Sequence, residues 1–140
     1  MDYSPNGGQF ATAGKDFNIR VYDEGTKSVE VTLAAAEWNN RGHSNRVFAV
    51  KFIDEHTLIS GGWDSVLHIW DLRQGLSVRS IYGPHLSGDA LDFQDGQVLT
   101  GSYSNKDQTQ LWDFDSGKLV ETLPWPTNKE VPYVYSVQFG

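Results

Sequence analysis

The chain has 140 residues, a mass of 15.7 kDa and a formal net charge of −7. Its 11 Lys and Arg against 18 Asp and Glu argue against a nucleic-acid binder and against docking on an anionic membrane surface. The absence of cysteine excludes disulfide frameworks, cysteine-ligated zinc and thiol nucleophiles. The first residues do not resemble a signal peptide, and no apolar stretch approaches the ~20 residues of a membrane span. We therefore expect an intracellular protein, cytoplasmic or nuclear.

Apolar residues alternate with polar ones in several short segments, which is the period of a half-buried strand. Leu33–Glu37 is the one helix-favouring stretch, and it is too short to stand alone, so we predict a connecting loop there. The predicted strands, separated by turns rich in Gly, Asp and Ser, are Val47–Ile53, Leu67–Trp70, Gln97–Thr100 and Lys118–Leu123.

The chain repeats itself. Thr12–Asp23 aligns without a gap on Ser60–Asp71, at an offset of 48 residues. A third copy spans Thr100–Asp113, with two extra residues in its middle turn. Self-similarity of this kind is typical of repeat architectures, and the strand and turn pattern predicts four short strands in each repeat.

The second copy carries Gly42-His43 near its start and Trp70-Asp71 near its end, and 27 residues separate His43 from Trp70. The same spacing separates His85 from Trp112. The chain thus resembles a WD40-repeat β-propeller protein over essentially all its length. The resemblance implies an all-β fold, a propeller segment of four-stranded antiparallel blades in an open or incomplete ring. The implied repeats are 1–35, 42–83 and 83–125, with the first strand of a fourth at 131–140.

The resemblance also implies a buried hydrogen-bond chain within the second repeat. It would run through Trp70, Ser60, His43 and Asp64, where each group offers the donor or acceptor that the next one lacks. We expect Asp64 to accept in addition from backbone amides of the tight turn. The other copies depart from this pattern, and their corresponding residues are Thr12, Asp16 and Tyr22 in the first, and His85, Thr100, Trp112 and the candidate Asp107 in the third.

Ser60, His43 and Asp64 have the composition of a nucleophilic triad. Ser60 lies inside a predicted strand, however, and there is no helix start to supply an oxyanion hole, so we predict no enzyme activity. A metal site is disfavoured because two of the four histidines occupy equivalent positions in separate repeats and His68 should face outward or pack on its strand. No phosphate-binding loop is recognisable, and no cofactor is predicted. The four histidines are His43, His56, His68 and His85.

Binding to other proteins is therefore the predicted function, as a non-enzymatic interaction scaffold. In the second repeat the resemblance implies contact positions at Arg46, Phe48 and Trp63, and Trp and Arg are enriched in interface hot spots. The alternative is that Phe48 or Trp63 packs on a neighbouring loop. The corresponding positions elsewhere are Lys15, Gly88, Ala90, Tyr133 and Tyr135.

A second possible binding motif is Trp70-Asp71-Leu72-Arg73. It resembles the box by which some WD40 proteins dock to the adaptor of a cullin–RING ubiquitin ligase as substrate receptors. The other residues of this motif are those of an ordinary WD40 repeat, so only Arg73 distinguishes it from one. The alternative interpretation is that Arg73 is a solvated turn residue. The Pro-rich segment 124–132 is predicted to be an exposed loop.

The predicted repeats are fewer than a closed propeller needs, since propellers typically have four to eight blades. We therefore expect an incomplete ring with unpaired strand edges. Such a chain would be a fragment, would associate with itself, or would be completed by further blades.

Overall fold

The computed structural model describes residues 1–34, 42–88, 90–102, 109–123 and 137–139. These residues form twelve β-strands, which confirms the predicted all-β class, and include no helix long and apolar enough to cross a membrane. The strands are β1 (Asp2–Tyr3), β2 (Gln9–Ala13), β3 (Ile19–Asp23), β4 (Val29–Leu33), β5 (Val47–Asp54), β6 (Thr57–Gly62), β7 (Val66–Asp71), β8 (Leu76–Tyr82), β9 (Leu91–Gln94), β10 (Gln97–Gly101), β11 (Thr109–Asp113) and β12 (Leu119–Leu123).

The strands make three antiparallel sheets of four, each a simple meander in chain order. The first sheet holds β1–β4, the second β5–β8 and the third β9–β12. Four-stranded blades are thus confirmed, and within the described ranges the three sheets do not close a ring. Strand ends coincide with turns that need special backbone geometry, such as Gly75 at φ +68° and Gly117 at φ +70° after β7 and β11.

One expectation about the ends of these elements needs correction. Leu33 belongs to a strand and not to a loop, because it pairs with Ile19 and its side chain is fully buried. The strand expected over 131–140 stays a prediction, since only residues 137–139 of that range are described, and these three lie outside any strand. The amide of Phe139 donates to the Asp92 carboxylate at 2.8 Å, so it bonds to a side chain where a ladder partner was expected. Residues 35–37 and 131–136 lie outside the described part of the chain.

The apolar core consists of two clusters on either side of the second sheet. One joins the first and second sheets, with Trp70 and Leu58 at its centre. The other joins the second and third sheets, and Ile59 and Ile69 face Trp112 there. Because side chains alternate along each strand, β6 and β7 supply residues to both clusters. The second sheet is therefore buried on both faces.

The first strands of the three sheets are also joined by polar contacts, which we call the axial seam (Asp2, Lys51 and Asp92). Asp2 on β1 accepts the amide of Phe52 on β5 at 2.9 Å. Lys51 Nζ lies 3.3 Å from Asp92 Oδ1 and 4.0 Å from Asp2 Oδ1. Burial opposes ionisation of Asp92, but the amides that it accepts and the Lys51 charge outweigh this effect and hold its pKa below the ordinary value.

Candidate functional site

A chain of hydrogen bonds crosses the second sheet. Trp70 Nε1 donates to Ser60 Oγ at 2.8 Å, and Ser60 Oγ lies 2.7 Å from His43 Nε2. His43 Nδ1 lies 2.7 Å from Asp64 Oδ2. Since the indole can only donate, the Ser60 hydroxyl is left to donate onward to Nε2, which directs the Nδ1–H of the imidazole toward the carboxylate. The structure thus brings together the four residues that the resemblance singled out.

The surroundings of Asp64 differ from the expectation. Its Oδ2 accepts the amide of Ser44, at 3.2 Å, from the segment that follows His43, and not from the tight turn. Its buried Oδ1 has no hydrogen-bond partner among the described residues. Burial raises the pKa of Asp64, but the hydrogen bond and electrostatic attraction of the adjacent His43 ring, with the Ser44 amide, more than offset it, so the pKa lies below its ordinary value.

His68 does not face outward; it is packed and buried, and it extends the polar cluster. Its ring meets that of His43 edge-on, with 4.6 Å between the ring centroids. Its Nδ1 lies 2.9 Å from Ser77 Oγ on the neighbouring strand. Burial, with the nearby His43, lowers the pKa of His68 to about 4, so the ring is neutral at physiological pH.

His43, Asp64 and His68 therefore place three potential metal-ligand atoms within 4.8 Å of one another. The sequence interpretation missed this grouping because it compared histidines between repeats. Both ring nitrogens of His43 and Nδ1 of His68 already take part in protein hydrogen bonds. These three nitrogens are thus occupied within the protein, whereas the buried Asp64 Oδ1 has no hydrogen-bond partner among the described residues.

The same burial bears on whether Ser60 has a structural or a nucleophilic role. Its side chain lies inside β6 at 0% exposure, and its oxygen bonds both the indole and the imidazole. A nucleophile must reach its substrate, whereas this hydroxyl is enclosed by the protein. The structural role that the resemblance implies for Ser60 stays a prediction, and the burial of its hydroxyl between the indole and the imidazole favours it.

The third sheet retains only part of the chain. Trp112 Nε1 donates to Thr100 Oγ1 at 3.0 Å. His85 instead places Nδ1 3.0 Å from Ser65 Oγ, in the tight turn of the second sheet, and so links two blades. Asp107 lies outside the described residues.

In the first sheet the candidate carboxylate is used differently. Asp16 pairs with Arg20, four residues along the chain. Tyr22, where a tryptophan would stand, stacks on Phe10 with 5.0 Å between ring centroids. Of the three described sheets, the second is the one with the complete hydrogen-bond chain.

One end of the second sheet presents an aromatic and basic cluster. Trp63, in the turn after β6, is 39% exposed, and its ring lies 5.2 Å from that of Phe48. The Arg46 guanidinium stands 5.5 Å from the Trp63 ring centre. Trp63 Nε1 also donates to Ser87 Oγ at 3.1 Å. Trp63 thus packs on its neighbours and is also partly exposed, and its role in partner binding stays a prediction.

Backbone contacts hold this cluster in place. The amide of Trp63 donates to the Arg46 carbonyl at 3.0 Å, and a Cβ on Gly62 would lie 1.9 Å from the same oxygen. Glycine is therefore required there. The amide of Val47 contacts the Gly14 carbonyl at 3.4 Å, which brings the tight turn of the first sheet alongside.

That neighbouring turn adds two exposed side chains, Lys15 and Phe17. Phe17 is 41% exposed and has a φ of +70°, which is unusual for a residue with a side chain. The sequence interpretation missed Phe17, since nothing in the repeat pattern marks it. We call the resulting surface the Trp63 rim, and it comprises Lys15, Phe17, Arg46, Phe48 and Trp63.

The other proposed contact positions are placed less favourably. Ala90 is fully buried in the core, which corrects its assignment as a contact residue, and Gly88 accepts the Ala90 amide at 2.8 Å. Tyr133, Tyr135 and the Pro-rich segment 124–132 lie outside the described residues.

Trp70-Asp71-Leu72-Arg73 ends β7 at the opposite end of the second sheet. Trp70 is fully buried and Leu72 packs against the core, whereas the Arg73 side chain is 70% exposed. Arg73 Nε lies 3.5 Å from Asp71 Oδ1. Arg73 and Leu72 also border a cavity of about 360 Å³ between the first two sheets, completed by Asn6, Gln9, Val31, Glu55 and His56.

The fold and the buried chain define this protein as a segment of β-propeller blades. The family model described as "WD domain, G-beta repeat" matches residues 1–23 and 37–71. The chain therefore carries WD40 repeats within these residues.

Similar proteins cover several cellular roles. Ribosome biogenesis protein WDR12 homolog of Drosophila persimilis is 33% identical over 157 residues, covering 96% of this chain and 37% of that protein. Mitochondrial division protein 1 of Eremothecium gossypii is 27% identical, covering 88% of this chain and 18% of that protein. E3 ubiquitin-protein ligase COP1 of Pisum sativum is 34% identical over 84 residues, covering 59% of this chain and 12% of that protein. The chain thus spans at most 37% of the length of these relatives.

Proposed function

We propose that this chain is a non-enzymatic protein-interaction scaffold that binds its partners on the Trp63 rim. The observation that carries the proposal is the exposed Trp63 ring with the Arg46 guanidinium beside it. Large aromatic and arginine side chains dominate binding energy at interfaces. A cytoplasmic or nuclear location belongs to the same proposal.

The rim is also pre-ordered. Trp63 is held by Ser87 and Phe48, and the Arg46 backbone is held against Gly62. Ordering a mobile side chain at an interface costs about 0.5–1.5 kcal/mol of conformational entropy. A side chain that is already ordered in the free protein avoids most of this cost when it binds. Binding on this surface is therefore favoured over binding on flexible exposed residues.

Trp63→Ala tests the proposal, with Val78→Ala as the control because Val78 on β8 is equally exposed at 39%. The wild-type chain is immobilised and used to select from a displayed library of random dodecapeptides. We expect Trp63→Ala to lose retention of the selected pool and Val78→Ala to keep it, while both variants melt close to wild type. Equal retention by both variants would contradict the proposal. A large fall in the melting temperature of Trp63→Ala would assign the residue to packing.

We propose the repeat limits as 1–35, 42–83 and 83–125, with a further repeat beginning at 131–140. The three described sheets each fall inside one of these ranges, which supports the division. Limited proteolysis tests it, because cleavage should fall between the ranges and not within a sheet.

A second candidate function is a substrate-receptor subunit of a cullin–RING ubiquitin ligase that docks through Trp70-Asp71-Leu72-Arg73. The exposed Arg73 side chain favours it, as does the similarity to COP1. Co-purification with the ligase adaptor should then be lost in Arg73→Ala and kept in Gln74→Ala, a change in the neighbouring exposed residue. Equal capture of the adaptor by both variants would exclude this function.

A further inference from the structure

We infer that the Trp63 rim selects a partner segment with an anionic side chain close to an apolar one. The inference rests on the proposed function and adds the chemistry of the partner.

The first observation concerns charge. Lys15 and Arg46 are exposed, and no carboxylate of the described residues lies within 4 Å of either. Among the other basic side chains of the described residues, Arg20, Lys27, Lys51 and Arg73 pair with carboxylates, whereas Arg79 and Lys118 do not. Lys15 and Arg46 differ from Arg79 and Lys118 in standing beside exposed aromatic rings on adjoining segments, and in a chain of net charge −7 such a pair of cations marks a local site for an anion.

The second observation concerns the shape of Arg46. Its guanidinium is positioned by the Trp63 ring, and within the described ranges its side chain donates no hydrogen bond. A planar guanidinium presents a fork of N–H donors that matches a carboxylate or phosphate with two parallel hydrogen bonds. Arg46 is therefore positioned to receive one anionic group.

The third observation concerns the apolar surface beside these cations. Phe17 and Trp63 are each about two-fifths exposed. Phe17 lies on the turn that carries Lys15, and Trp63 lies beside Arg46, whose segment meets that turn where the Val47 amide contacts the Gly14 carbonyl. Burial of such rings stabilises a complex by roughly 25 cal/mol for each Å² of apolar surface removed from water. A partner that covers both rings therefore needs an apolar side chain near its anionic one.

Cations interleaved with aromatic rings also suit single-stranded nucleic acid. Two cations neutralise too few phosphates to hold a polyanion against a net charge of −7, however, since such binding grows with the number of phosphates contacted. An isolated anionic side chain on a peptide fits the rim better.

The test uses the same dodecapeptide library and sequences the pool retained by wild type. We expect Asp or Glu to be enriched within a few positions of Leu, Phe, Tyr or Trp. A synthetic peptide from the pool is then compared with its Asn or Gln counterpart by fluorescence anisotropy. On wild type, the Asn or Gln peptide should bind about fivefold more weakly than the acidic peptide. On Arg46→Gln, the Asn or Gln peptide should bind no more weakly than the acidic one, which is the result expected if the acidic group interacts with Arg46.

Two further arms identify the anion. A phosphoserine at the acidic position should also bind in an Arg46-dependent way, and the tighter of the two peptides identifies the source. Arg46→Lys should restore only part of the affinity, because it keeps the charge without the fork. Variants are compared only where their circular dichroism spectra match wild type.

A pool without enrichment in Asp or Glu would overturn the inference, and so would an acid-to-amide change that acts equally on wild type and Arg46→Gln. Displacement of the peptide by an oligothymidylate at equal concentration would overturn it in favour of nucleic acid. If retention depends on Trp63 but not on the acidic residue, the inference fails and the proposed function stands. If wild type retains no peptide, both fail.

Discussion

Replacement of Ser60 with alanine removes one hydroxyl that serves two buried partners. Trp70 Nε1 lies 2.8 Å from the hydroxyl oxygen and His43 Nε2 lies 2.7 Å from it. Each buried polar group left unpaired costs about 1–3 kcal/mol, so we expect the free energy of unfolding to fall by roughly 2–6 kcal/mol. That loss is large beside the ~5–15 kcal/mol that a typical domain possesses.

Equilibrium urea unfolding, followed by tryptophan fluorescence and circular dichroism, measures this loss. Ser60→Thr is the matched control, because Thr100 occupies the same position in the third sheet and bonds Trp112. Thr100→Val keeps the shape and leaves the Trp112 indole without its side-chain partner, and it also removes a long contact of 3.4 Å to the Gln110 carbonyl. It should therefore cost about half as much. A change within ~0.5 kcal/mol for Ser60→Ala, the usual range for a neutral surface substitution, would refute the reasoning.

Two further predictions concern His68 and Gly62. The folded His68 pKa of about 4 lies below the ordinary 6.5, so the unfolded chain binds a proton that the folded one does not as pH falls through this interval. The part of the free energy of unfolding that depends on a neutral His68 is fully present above pH 6.5. It is lost progressively as the pH falls to about 4, and the total loss is roughly 3 kcal/mol. Urea midpoints measured between these limits should shift less in His68→Gln, and an identical shift would exclude this origin. Gly62→Ala would bring a Cβ within 1.9 Å of the Arg46 carbonyl oxygen, so we expect a loss of about 3 kcal/mol or more. Gly25→Ala, which meets only the Asp23 side chain, is its control, and equal melting temperatures would contradict the steric explanation.

The strands and the buried contacts between neighbouring strands were the predictable part of this protein. Period-two patterning specifies which side chains share a face. The register of β6 and β7 pairs Ser60 with His68 and Leu58 with Trp70. Ser60 and Trp70 are therefore diagonal neighbours, close enough for an indole to reach a hydroxyl. The contact between Ser60 and Trp70 could therefore be predicted from their spacing within one hairpin.

Contacts that depend on loop paths could not be predicted in the same way. His85 leaves a loop and reaches Ser65 in the preceding blade, and Asp16 turns toward Arg20. Alternation places His68 on the Trp70 face of its strand, but it does not reveal that His43 will cover it. Phe17 is exposed because of a turn conformation that the repeat pattern does not encode. For His85 and His68 the unpredicted neighbour comes from another segment, whereas for Asp16 and Phe17 the turn conformation decides.

The axial seam has a consequence for how disturbances spread through the molecule. In the described ranges the sheets share no strand ladder with one another. Adjacent blades are joined by contacts such as those of Lys51, which lies near Asp2 on one side and Asp92 on the other. In such an array each unit responds only to its immediate neighbours. Local opening of the second sheet removes support from both flanking sheets at once, whereas opening of an outer sheet removes it from one. Amide hydrogen exchange should therefore be slowest in the middle of the array and increase outward.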